Sequence, residues 1–165
     1  MTGKRAKPGL IAATHTTDAI VLLRSDMETV AGLFRQLENC RSAAEKKPIV
    51  KQICVALSVR AQLEEEILYP ALTRALNDRD LLYRSHLQRT ALRALIAEVE
   101  DIEPDDDYDT NLAMISDHVR GHVDEQNAIL PRTRDSRIDL HELGTRLATR
   151  KNQILAGLSD YGGWD

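Results

Sequence analysis

Residues 58–70 read Ser-Val-Arg-Ala-Gln-Leu-Glu-Glu-Glu-Ile-Leu-Tyr-Pro, SVRAQLEEEILYP. The stretch sits in the middle of a long helical pattern. Ile53, Leu57 and Ile67 recur at close to whole helical turns and define a core-facing stripe. Arg60 and Glu64 fall on the same stripe, where apolar side chains are expected. An unpaired charge in a protein interior costs several kcal/mol, roughly. A stripe carrying both residues therefore calls for an explanation inside the fold.

Working outward, three further helical patterns show the same mid-length interruption. Ile20, Leu23, Met27, Val30, Phe34 and Leu37 alternate steps of three and four, the seam of a bundle helix capped at Thr17. A second helix is expected from Pro48 to Leu76, with Tyr69-Pro70 kinking or breaking it, because proline lacks an N–H and crowds the preceding turn. Glu65 and Glu66 lie off its seam and read as solvated. A third helix, Asp80 to Ile102, is read with Leu82 and His86 on its inner side. A fourth, Thr110 to Leu130, has a seam of Leu112, Ile115, Val119, His122, Gln126 and Ile129, with His118 one turn earlier and Pro131 as its stop. Gly121 reads as a packing glycine. A fifth helix, Asp139 to Leu158, carries Leu140, Leu143, Leu147, Ile154 and Leu155 for docking.

The expected fold is thus all-α: an antiparallel up-down four-helix bundle with an additional C-terminal helix. Residues 1–16 form an N-terminal arm containing His15, residues 17–132 the bundle, and residues 133–165 the final helix and tail. Sparse Gly, Pro and aromatics agree with a helical chain. Mid-helix positions in such a bundle come to similar heights, so Met27, Arg60, Glu64, His86, His122 and Gln126 are expected to meet in one interior layer.

Composition narrows the function classes. The net charge is −4 with acids and bases interspersed, which provides no basic groove for nucleic acid and no cationic membrane face. No run approaches a transmembrane length, and Gly9 to Ala13 is too short for a signal-peptide core. A cytoplasmic protein is the expectation, with Cys40 and Cys54 as ordinary reduced thiols. There is no nucleophile–base–orienter set and no phosphate-cradling glycine loop.

The phrases DAIVLLRSDMETVAGLF, ICVALSVRAQLEEEILYPAL, SHLQRTALRALIAEVE and HVDEQNAILP resemble the hemerythrin-like, or HHE cation-binding, domain family over Thr17 to Arg132. The piece DLHELGTRLATRK is similar to an extension common among bacterial members. The resemblance implies a bundle around a non-haem di-iron site, serving oxygen binding or transport, or sensing of oxygen, nitric oxide or iron. It implies ligands at Glu64, His86 and His122, which match. It also implies a histidine where this chain has Met27, a histidine at Arg60 and a glutamate at Gln126. An offset of one residue after His122 would make Glu125 the intended carboxylate.

Arginine is permanently protonated and has no lone pair to donate. Two ferrous ions need several carboxylates and imidazoles, which one interior glutamate does not supply. The first expectation is a metal-poor relative with no cofactor, its centre a salt-bridged network, acting in binding or signalling. The alternative is a reduced iron or zinc site of Glu64, His86 and His122, with His118 or Glu125 as a fourth ligand, open to oxygen, nitric oxide or peroxide. The last helix either covers the bundle or pairs with a second copy.

Overall fold

The computed structural model describes residues 18–101 and 106–160. The N-terminal arm with His15 and Thr17, the segment 102–105 and the tail 161–165 lie outside the described residues. Every regular element among those described is helical. The elements are α1 (Ala19–Glu38), α2 (Ala43–Leu63), a π-helical turn (Glu64–Leu68), α3 (Tyr69–Leu76), α4 (Arg79–Asp101), α5 (Asp106–Arg134) and α6 (Leu140–Asp160). None of the described helices is long and apolar enough to cross a membrane.

Each start has a local chemical cause. The cap of α1 is Asp18, whose carboxylate accepts from the Ile20 and Val21 amides, one residue later than the cap expected at Thr17. The second helical stretch starts earlier than Pro48. Ser42 accepts from the Glu45 amide, and the Glu45 carboxylate accepts from the Arg41 amide just before the cap, so two N–H groups at the helix start find acceptors. Asp139 caps α6 by accepting from the His141 and Glu142 amides.

Tyr69-Pro70 does not break the chain. The hydrogen-bond ladder slips instead, and the Tyr69 amide bonds the Glu64 carbonyl five residues back. Proline 70 has no N–H to offer, and the wider turn lets the helix run on into α3. The slip rotates the inward face, so Ile67, Leu68 and Tyr69 are buried consecutively. Pro131 likewise does not end α5, which continues to Arg134, so the domain boundary read at 132 falls inside a helix. Asn127, whose carbonyl loses its partner there, is exposed to water.

Two apolar clusters make up the interior. One joins Ile20, Leu23, Leu63, Leu68, Leu72 and Leu130 with Leu143 and Leu147 of α6. The other joins Val30, Ile53, Leu57, Leu92, Ile96 and Ile115. Each of the four longer paths crosses from one cluster to the other. The residues at the crossings are Met27 between Leu23 and Val30, Arg60 between Leu57 and Leu63, Arg89 between Leu81 and Leu92, and His122 and Gln126 between Ile115 and Leu130. A polar layer therefore separates two apolar halves.

Helix α6 lies against α1, α2 and the π-helical turn. Lys151 pairs with Asp26 at 2.5 Å and Arg150 with Glu66 at 2.6 Å. Glu66 and Glu65 are exposed but not free: Glu65 holds Arg93 at 2.5 Å.

Candidate functional site

The centre of the polar layer is the Arg60 guanidinium, 4% exposed. All three of its nitrogens have acceptors. Nε donates to Glu64 Oε1 at 2.7 Å, Nη1 to the Leu23 carbonyl at 2.9 Å, and Nη2 to Gln126 Oε1 at 2.5 Å. The i, i+4 spacing of Arg60 and Glu64 brings the pair together on one helical face. Glu64, 2% exposed, uses Oε1 for two more bonds, from Gln126 Nε2 at 2.8 Å and His122 Nε2 at 2.9 Å. Gln126 thus bridges the pair, its oxygen on the cation and its amide nitrogen on the anion. A glutamate at 126 would offer no donor to Glu64. The other ring nitrogen of His122, Nδ1, lies 3.2 Å from Gln88 Oε1.

The electrostatics follow from this closure. Burial alone would raise the Glu64 carboxyl. The hydrogen bond and charge of His122, then the charge and hydrogen bond of Arg60, outweigh burial and hold it down to about 2 from an ordinary 4.5. The depressed value means that folding favours the ionised form. This contribution to stability is complete above about pH 4.5 and is lost as pH falls through about 2. Thermal midpoints of the wild type and of Glu64→Gln, taken from pH 6 down to pH 2, are expected to converge toward the acid end. Parallel curves would show that the carboxylate is not held ionised by the fold. Burial and the Glu64 charge push the neighbouring Tyr69 phenol up to about 12, and burial and Glu100 push the Cys54 thiol to about 11. Both stay protonated at neutral pH.

Of the residues expected to meet here, Arg60, Glu64, His122 and Gln126 do so directly. Met27 is half-buried and borders the same space, together with the half-buried His118. Burial, then the charge of His122, lowers the basicity of His118. His86 does not join them. It is exposed, and the inner positions of α4 are Leu81, Ser85, Arg89, Leu92, Ile96 and Val99. The reading of α4 from Leu82 and His86 is rotated by one residue, about 100° around the helix. Glu125 also points away: it is exposed and bonded to Gln88 Nε2. Gly121 is exposed with nothing near the position of a Cβ, so close packing does not explain it.

The residues present do not fit the di-iron group that the resemblance implies. A side-chain cation fills the centre, Oε1 of Glu64 is taken up by three donors, and two expected ligand positions, His86 and Glu125, face outward. Among the described residues, no three His, Cys, Asp or Glu side chains lie together so as to hold a metal ion.

Two participants were not anticipated from the pattern. Gln88 links His122 to Glu125, and Arg89 is 4% exposed with its guanidinium 5.6 Å from the centre of the Tyr69 ring. The stripe of Leu92, Ile96 and Val99, extended back by steps of three and four, reaches residues 88, 89 and 85 and carries the signal.

Comparison of the chain with protein-family models, with curated proteins and with solved structures finds no match.

Proposed function

We propose that this chain is a hemerythrin-like protein, an antiparallel up-down four-helix bundle with an added C-terminal helix, in which a salt-bridged network stands in place of a di-iron centre. On this reading it acts in binding or sensing rather than catalysis, without a resident metal. The observation that supports it is the anchoring of the Arg60 guanidinium by Glu64, Gln126 and the Leu23 carbonyl. A buried guanidinium provides locally the positive charge that an ion otherwise supplies, and its planar fork suits a carboxylate and an amide at once.

Elemental analysis of protein purified after iron-supplemented expression tests the proposal. Iron and zinc far below one per chain are expected. Stoichiometric iron with an oxo-bridged visible absorption would overturn it.

A further inference from the structure

The second buried guanidinium, Arg89, has no counterpart to Arg60's partners. Its Nε and Nη1 atoms are buried without a hydrogen-bond acceptor. No carboxylate lies within ion-pairing distance of it among the described residues; the Arg89 charge reaches Glu65 only through space, and Glu65 is bound to Arg93. The ring face of Tyr69 contributes attraction but accepts no hydrogen bond in the guanidinium plane. Arginine does not escape the difficulty by losing its proton. A buried cation with two N–H-bearing nitrogens left without acceptors costs several kcal/mol, roughly.

Arg89 borders a cavity of about 20 Å³, lined also by Arg60, Glu64, Gln88, His118 and His122. One carboxylate thus faces two guanidinium groups, and that carboxylate belongs to Arg60 at 2.7 Å. The space suits one or two water-sized bodies. It is too small for a phosphate ester or an organic acid with a long tail. A water molecule there would satisfy a donor but would leave the charge unbalanced.

We propose that this cavity binds a small monovalent inorganic anion, of the size of chloride, against the Arg89 guanidinium. The anion would balance the charge that Glu64 leaves uncompensated. The inference rests on the metal-free reading of the site, because the cavity is lined by Glu64, His118 and His122 as well as Arg89.

Two measurements on the full chain test it. The first is the thermal midpoint at constant ionic strength as gluconate is replaced by chloride. A saturable rise of about 2–4 °C is expected for the wild type. The rise should vanish in Arg89→Gln and persist in Arg132→Gln, an exposed control. The second is anomalous scattering from wild-type crystals grown in sodium bromide, which needs no variant to fold. A bromide peak within hydrogen-bonding distance of Arg89 supports the proposal. A flat chloride titration, or a cavity holding only water in bromide-grown crystals, overturns it. Elemental analysis reads the metal separately: metal-free protein with no halide effect overturns only the anion, and stoichiometric iron overturns the reading beneath it.

Discussion

Arg60→Met is expected to destabilise the protein by about 3–5 kcal/mol in urea denaturation at pH 7. The substitution keeps most of the side-chain volume and removes the cation. It leaves Glu64, 2% exposed, without its charge partner, and strips the acceptor side of Gln126 of its donor. The cost arises from stranding a buried carboxylate, not from losing the gross attraction of the pair. The triple variant Arg60→Met, Glu64→Leu, Gln126→Met should therefore recover most of the loss, to within about 1 kcal/mol of the wild type, since apolar residues of similar volume replace buried ion pairs at little net cost. A single-variant loss under about 1 kcal/mol would mean that the guanidinium reaches water and the network is not what holds the centre.

Leu147→Ala is expected to cost about 2–5 kcal/mol, with a single cooperative transition. Leu147 is fully buried in the cluster that contains Leu23, Leu63 and Leu68. The substitution opens a cavity where α6 meets α1, α2 and the π-helical turn. Together with the Lys151–Asp26 and Arg150–Glu66 pairs, this makes α6 a structural part of the interior. A loss below 1 kcal/mol, or a separate early transition, would instead describe a detachable arm. The surface ion pairs alone would not prevent that, because exposed pairs contribute about 0–1 kcal/mol each.

The helices were legible where one apolar stripe dominated. On α1 the steps through Ile20, Leu23, Met27 and Val30 gave the inward face directly, and Arg60 and Glu64 were placed inside by their fixed distance from Leu57. On α4 the pattern was divided. Leu82 and Leu87 face outward while Ser85 and Arg89 face inward, so hydrophobicity pointed to the wrong side by one residue and carried His86 with it. Reading the stripe backward from Val99 and Ile96 resolves that conflict.

The two prolines show a different limit. A proline removes one backbone hydrogen bond, but the sequence does not say where the orphaned carbonyl goes. At Pro131 the residue four back, Asn127, is exposed. At Pro70 the ladder slips into a π-helical turn, and Glu64 opens that turn. The turn follows the last residue of α2 and directly positions the carboxylate at the head of the network. That link between a missing N–H at 70 and a carboxylate at 64 runs through the backbone ladder and is not written in the hydrophobic period.

The partners of each buried charge were partly legible. Spacing alone joined Arg60 to Glu64, because i and i+4 are neighbours on any helix. The bridge by Gln126 requires α5 to stand opposite α2 at the right height, and the Leu23 carbonyl is a backbone acceptor that no side-chain pattern reports. Arg89 was hidden for the same reason as His86: the register of α4 set which residue entered the layer.

The most direct test of the central claim is anomalous diffraction at the iron edge from crystals grown after the protein has been incubated with ferrous iron. The account predicts no iron peak beside Glu64 and His122, with the Arg60 guanidinium bonded to Glu64 and Gln126. An ordered iron held by Glu64 and His122, with Arg60 turned out to solvent, would contradict it.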